Sequence, residues 1–231
     1  MLNNTASLIK KLRLSHGFSQ DQVAKSIGIS RPTYNAIETG KQKLDIEELV
    51  KLSSLFSVGV DELMSGSLYN IPKYKQMIIS LLRMNLSKDG KITKTKLAKL
   101  LYLSDFAWFY NNMESMSGIQ YRKIAYGPVP DAFFRVIDEL EESGKIIVDR
   151  KSSGGKDMLL ISESDSNKNE KIDTLSKDEE KLMKDIVKNW KDRKTSEIVN
   201  FTHNQLPYKL CRDNELIPYE LITQEDPDKV Y

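Results

Sequence analysis

Apolar residues recur at helical spacing in short bursts over residues 7–64, and each burst is closed by a glycine or opened by a capping side chain. Leu8, Ile9 and Leu12 form one amphipathic stripe that stops at Gly17. Ser19, with Gln22 three positions on, gives a capping-box pattern ahead of a helix over 20–26 with Val23 and Ala24 inward, ended by Gly28. Ser30 caps the next helix, whose first turn accepts Pro32 because that amide hydrogen is unused there, and Gly40 ends it. Asp45 caps a fourth helix carrying Leu49, Leu52 and Phe56, and Asp61 starts a short fifth. Two helices joined by a tight turn, the second polar at its beginning, is the arrangement that lays a recognition helix in the major groove.

The stretch Ser19-Gln20, Val23-Ala24, Gly28-Ile29-Ser30, Tyr34, Ile37-Glu38, Gly40, with the later Leu49, Phe56, Val60-Asp61 and Leu63, resembles the Xre/Cro-type helix-turn-helix family over residues 7–64. The DNA-facing residues expected from position are Arg31, Thr33, Tyr34 and Asn35 for base edges or thymine methyls, with Ser30 at the helix start. The resemblance implies a phosphate contact for Gln20, next to a helix N-terminus whose partial positive charge favours anions. Lys41 and Lys43 follow the recognition helix and are expected on the backbone. Glu38 reads as structural. A domain this small reads few base pairs, so a homodimer on a palindromic operator is expected.

The pattern breaks at Ser65-Gly66-Ser67, Asn70 and Pro72, which divides the chain into a helix-turn-helix domain at 1–66, a linker at 67–74 and a second domain at 75–231. Met77, Ile78, Leu81 and Leu82 predict a helix over 73–86. A longer helix over 93–112, capped by Thr93, carries Leu97, Leu100, Leu101, Ser104 and Trp108 on one face and Lys94, Lys96, Lys99 and Asp105 on the other. After a Gly118 turn, alternation over 120–126 predicts a short strand. Tyr126-Gly127-Pro128-Val129-Pro130 reads as a rigid loop, and Asp131 as the cap of a helix packed through Phe134, Val136, Ile137 and Leu140. Ile146–Val148 and Met158–Ile161 flank Ser152-Ser153-Gly154-Gly155 as a β-hairpin, residues 163–171 read as a mobile loop, and helices follow over 177–190 and 196–206. The fold class is mainly α, a five-helix DNA-binding domain plus a larger helical α+β domain with a small hairpin.

Lys96-Leu97, Lys99-Leu100-Leu101-Tyr102 and Asp105, then Gly118, Tyr121, Tyr126-Gly127-Pro128-Val129 and Thr202-His203 with Pro207-Tyr208, resemble the Panacea (SocA-like) antitoxin domain over about residues 75–225. Tyr208 departs from the pattern, which has tryptophan there. The resemblance implies a partner toxin neutralised by direct binding, with Asp105, Tyr121, Tyr126, His203 and Tyr208 as exposed contact residues near the motifs. The chain then reads as an antitoxin that represses its own operon. A stand-alone regulator whose second domain senses a ligand or dimerises, and a proteolytic adaptor for the toxin, are the alternatives.

Charge sharpens this picture. The net charge is only +2, yet residues 1–43 carry seven Lys/Arg against two acids and residues 65–110 eight against two, while 111–231 hold nineteen against twenty-four. Basic residues thus gather in the N-terminal half, as a phosphate-binding surface requires. An Arg150, Lys151 and Lys156 hairpin behind the 131–144 helix suggests a second DNA module, but Asp138, Glu139, Glu141 and Glu142 on that helix would repel phosphate, which favours a protein partner. No enzyme is expected. The two histidines and one cysteine cannot assemble a familiar metal site, Cys211 with His203 is a weak nucleophile pair, and no glycine-rich phosphate loop stands between a strand and a helix. No cofactor is expected. The single cysteine, the lack of a secretory leader and the absence of an apolar run of ~18 residues point to a cytoplasmic protein that does not enter a membrane.

Overall fold

The computed structural model describes residues 2–66, 68–84, 87, 89–153 and 156–231; Ser67, Leu86 and the expected Gly154-Gly155 turn lie outside these. The chain forms two compact units, Met1–Tyr69 and Asn70–Tyr231.

The first unit is five helices: α1 (Leu2–Ser15), α2 (Gln20–Ile27), α3 (Arg31–Glu38), α4 (Ile46–Phe56) and α5 (Val60–Ser65). The Ser19 side chain accepts from the Gln22 amide while the Gln22 side chain accepts from the Ser19 amide, and Asp45 and Glu48 form the same reciprocal box at α4. Gly28 closes α2 at φ 80°, a left-handed conformation that glycine adopts without strain. The short helix starts at Val60, one residue before Asp61, with Gly59 at the capping position. Ile9, Val23, Ile27, Tyr34, Leu52 and Leu63 are sealed inside, so all five helices share one core.

The second unit opens with α6 (Ile71–Arg83), followed by β1 (Ile92–Thr93), α7 (Lys94–Asn112), β2 (Tyr121–Ile124), β3 (Gly127–Pro130), α8 (Ala132–Glu142), β4 (Ile146–Ser153), β5 (Lys156–Glu163), α9 (Lys177–Trp190), α10 (Thr195–Asn204), α11 (Leu206–Leu210) and β6 (Leu216–Ile217). It makes two three-stranded antiparallel sheets, in the orders β1-β5-β4 and β3-β2-β6. The succession α6, β1, α7, α8, β4, β5 with strand order β1-β5-β4 has the connectivity of a winged helix, into which β2 and β3 are inserted after α7.

Several expectations change here. Ile71 opens α6 inside the expected 67–74 linker, because Pro72 sits in the first turn, where its missing amide hydrogen is harmless, and Asn70 caps it through the Lys73 amide at 3.0 Å. Tyr126–Pro130 is not a loop: Gly127–Pro130 pairs with β2 as an edge strand, a place where proline is tolerated because one side needs no donor. Asp131 does not cap α8; its carboxylate takes the Arg122 guanidinium instead. Phe133, not Phe134, fills the core under α8, and Phe134 stands half-exposed. Residues 163–171 are tied down, since Arg83 grips Glu163 and donates to the carbonyls of Asn167 and Glu170 at 2.9 Å. Pro207 opens the separate helix α11 rather than ending a helix.

α7 is buried on nearly every side from Lys96 to Ala107. Lys96, Lys99 and Asp105 therefore do not form a solvated face. Lys96 reaches past α9 to donate to the carbonyls of Lys191 (3.0 Å) and Arg193 (2.7 Å), where the helix end concentrates negative partial charge.

Candidate nucleic-acid interface and the buried motif cluster

α3 is divided along its length. Its N-terminal turn and outer face leave Arg31 and Asn35 exposed and Thr33 half-exposed, whereas Tyr34, Ile37 and Glu38 turn inward. Ser30 fixes that turn: its Oγ accepts from the Thr33 amide at 3.2 Å and lies 2.8 Å from the Thr33 hydroxyl. Lys41 and Lys43 project from the following loop.

Tyr34 is a correction. Its ring is wholly enclosed and belongs to the five-helix core, because the 3.6-residue period carries position 34 onto the same inward side as Ile37. Burial pushes its phenol well above the ordinary value, with the Glu38 carboxylate adding to the shift. Base-edge contact through this side chain is closed without unpacking the domain.

Beneath that face, Glu38 joins three helices. Arg13 of α1 donates to it at 2.6 Å and 3.2 Å, and the Gln20 amide of α2 at 2.9 Å. Burial pushes the Glu38 carboxyl up, but the bonds from Arg13 and Gln20 outweigh it and hold the group below the usual carboxylate range. Gln20 also donates to Asn35 at 3.3 Å, so its side chain locks α2 against α3. The same residue that stands at the α2 N-terminus thus bonds to two positions of α3.

In the second unit the motif residues collect around α7. Asp105 accepts from the Ser117 amide (2.8 Å), the Ser117 hydroxyl (2.6 Å) and the Tyr121 hydroxyl (2.8 Å), tying α7 to the segment that leads into β2. Burial pushes its pKa up to about 6, against the lowering effect of these bonds. Asp105 and Tyr121 are both fully enclosed, so neither is the exposed contact residue expected from sequence; a helix surrounded by other elements has no solvent face to offer.

Lys99, also fully enclosed, donates to the Pro128 carbonyl at 2.9 Å, and burial lowers its pKa to about 7. Gly127, at φ +94°, is what lets β3 approach: a Cβ there would stand 2.7 Å from Lys99 Cε and 2.9 Å from His203 Nε2. His203 stacks on Tyr208 with ring centroids 4.4 Å apart and planes within 2°. Tyr208 donates to the Ile124 carbonyl at 2.9 Å, and Lys123 covers its ring at 4.6 Å. Burial, then Lys99 and Lys123, push His203 below its ordinary value. His203 and Tyr208 are half-buried; Tyr126 alone of the five residues stands largely in solvent, 75% exposed.

Cys211 is buried with its thiol pushed up, and its sulfur faces the Leu216 carbonyl, whereas His203 is occupied by Tyr208. The arrangement does not activate a thiolate. Among the described residues no group of three or more potential ligands is placed to hold a metal ion, and no helix is long and apolar enough to cross a membrane.

Sequence reasoning missed the Lys99–Gly127–His203 contact and the Arg13–Glu38–Gln20 joint. A signal for the first existed: Leu97–Ala107 is apolar around its whole circumference apart from its polar members, the mark of a helix buried on all sides.

Residues 9–63 match the helix-turn-helix family model, and residues 97–208 match the antitoxin SocA-like, Panacea domain model. The chain is 41% identical over 59 residues, 26% of its length, to the SPbeta prophage-derived HTH-type transcriptional regulator YonR of Bacillus subtilis, spanning 55% of that protein. It is 38% identical over 66 residues, 29% of its length, to the cryptic phage CTXphi transcriptional repressor RstR of Vibrio cholerae, spanning 60% of it. An HTH-type transcriptional regulator of Methanocaldococcus jannaschii is 33% identical over 55 residues, 24% of this chain and 83% of that one. The chain thus spans little more than half the length of the first two. No solved structure matches it. Both matched families are typically non-enzymatic. With an exposed N-terminal turn on α3, the chain belongs to the helix-turn-helix regulator family through residues 9–63, and its residues 97–208 are similar to the SocA-like Panacea antitoxin domain.

Proposed function

We propose that the chain is the antitoxin of a toxin–antitoxin pair and the repressor of its own operon. The N-terminal unit binds double-stranded operator DNA as a homodimer, and the second unit neutralises a cognate toxin by direct binding. The observation that carries this reading is the joining of the two family matches in one chain. It is supported by the exposed Arg31 and Asn35 and the half-exposed Thr33 at the start of α3, by Lys41 and Lys43 beside them, and by a relative whose name describes a transcriptional repressor.

Arg31 and Asn35 carry base readout, since a guanidinium pairs with guanine and a carboxamide with adenine in the major groove. Ser30 and Thr33, which hold one another, order the turn. Lys41 and Lys43 neutralise phosphates, and the α2 N-terminus, with Gln20 braced on Asn35 and Glu38, approaches the backbone. In the second unit Asp105 and Tyr121 hold the scaffold, and Tyr126 supplies the surface, with His203 and Tyr208 behind it.

The test is co-expression with the product of the neighbouring reading frame, scoring growth, the amount of that product and its co-purification. Rescued growth with undiminished toxin in a stable complex is expected. Rescue accompanied by loss of the toxin would indicate a proteolytic adaptor instead. Neither rescue nor complex, from a chain that still binds its own upstream DNA, would leave a regulator without a toxin.

A further inference from the structure

A half-open cavity of about 260 Å³ lies between the start of α7, the Tyr126 turn, the start of α8 and strand β5. Val129, Phe133 and Leu159 line it with apolar surface, and three large side chains stand exposed on it: Tyr126 (75%), Phe134 (49%) and Met158 (39%). Soluble proteins rarely leave such groups side by side without an occupant. None of the three is needed by the core, because Phe133 already fills the space under α8.

The cavity is cationic as well as apolar. Lys94 holds its ammonium 4.8 Å from the Phe134 ring centre and 5.8 Å from that of Phe133, and burial lowers its pKa. Asp138 and Glu141 of α8 act on it through space, but no carboxylate within 4 Å pairs with it among the described residues. Lys99, which also lines the cavity, has the Pro128 carbonyl as its partner and no counter-charge. An ammonium under an apolar opening, with no carboxylate within 4 Å among the described residues, favours a carboxylate beside an apolar group.

Size and setting decide what brings that group. The volume falls below the roughly 300–1,000 Å³ of clefts that bury drug-sized ligands. It suits one large side chain, and a ring of exposed aromatic and thioether groups around an anchor is how protein interfaces exclude water. This is also the face that a winged helix would present to DNA, between α8 and its hairpin. Here the exposed Asp138, Glu141 and Glu142 oppose phosphate.

We propose that this cavity is the anchor point for a partner polypeptide, which inserts one apolar side chain against Phe133, Phe134 and Met158 and sets a neighbouring acidic side chain on Lys94. The inference rests on the toxin-binding reading above and names the surface that performs it.

In binding assays of the full chain with the product of the neighbouring reading frame, Phe134→Asp, Tyr126→Ala and Lys94→Gln should each weaken the complex by about 30-fold or more. Lys94→Arg should restore most of it, and Lys171→Glu, on a different cavity, should change nothing. Unchanged thermal melting of each variant establishes that the fold is intact. Wild-type affinity in the first three variants overturns the anchor while leaving the toxin reading standing.

If the wild-type chain does not bind that product, the toxin reading fails, and a partner-independent probe decides the cavity. The probe is the N-acetylated dipeptide amide of phenylalanine and aspartate, followed at the Met158 methyl resonance. A shift larger than that caused by the asparagine counterpart, and lost in Lys94→Gln, supports the site. No shift, or an equal shift from both dipeptides, overturns it.

Discussion

In the first unit Arg31, Asn35, Lys41 and Lys43 stand on the surface, and the buried Arg13 and Glu38 neutralise each other at 2.6 Å. In the second, the charged residues of the α7 motif are inside: Lys96 ends on helix carbonyls, Lys99 on one carbonyl, and Asp105 on two hydroxyls and an amide. A five-helix domain has little interior to hide a charge in, so its charges divide between an exposed set outside and one ion pair within. α7 is enclosed by α6, α9, α10 and both sheets, so its signature is made of polar groups that position their neighbours. A family motif therefore lies partly on the surface in one unit and almost wholly inside, as a scaffold, in the other.

The sharpest way to break this contrast is Asp105→Ala. It strands the Ser117 amide, the Ser117 hydroxyl and the Tyr121 hydroxyl in the interior, at about 1–3 kcal/mol for each group left unpaired. A total loss of about 4 kcal/mol or more in urea denaturation of the second unit is expected; a loss below about 1 kcal/mol would refute the scaffold role. Glu38→Ala is the counterpart in the first unit. Leaving Arg13 buried without its carboxylate should cost about 3 kcal/mol, with DNA binding falling only as the unit unfolds.

The contrast also appears in the dependence of stability on pH. Asp105 binds its proton more tightly in the folded chain, so stability should fall as pH rises from about 4 through about 6, by roughly 2–3 kcal/mol. Lys99 binds its proton less tightly when folded, so stability should rise as pH climbs from about 7 toward the ordinary lysine range. Denaturation midpoints across pH should lose the first slope in Asp105→Asn and the second in Lys99→Met.

On the outer face the effects are smaller and fall on affinity. Arg31→Ala should weaken specific DNA binding by about 1–3 kcal/mol with melting unchanged. Lys41→Ala and Lys43→Ala should weaken all sequences alike and reduce the salt slope by roughly 1 each. Equal loss on specific and random DNA in Arg31→Ala would move that residue from base readout to the backbone. Smallest of all, Tyr126→Ala should alter stability by less than about 0.5 kcal/mol, because its side chain is mostly in water.

What could be read from sequence was whatever chemistry is local. Ser19 with Gln22, Ser30 with Pro32, Asp45 with Glu48 and Gly28 each act within a single turn, so α2, α3 and α4 begin and end within a residue or two of expectation. Ser176 caps α9 in the same way. Lys177–Trp190 and the β4–β5 hairpin likewise follow from periodicity and turn residues.

Tertiary structure decided everything that depends on a neighbour far along the chain. Tyr34 shares the helical side of Ile37, but how completely the other helices close over its ring was decided by their packing. Asp131 has the sequence of a helix cap, yet Arg122, nine residues away, takes its carboxylate. Gly127 has meaning only because Lys99 and His203 converge on it from helices 28 residues before and 76 residues after. The alternation of polar and apolar positions fixes which face of an isolated element is wet, but α7 has no wet face. The apolar residues around the circumference of Leu97–Ala107 mark an enclosed helix, but which carbonyls and hydroxyls its lysines and aspartate meet was decided only by long-range contact.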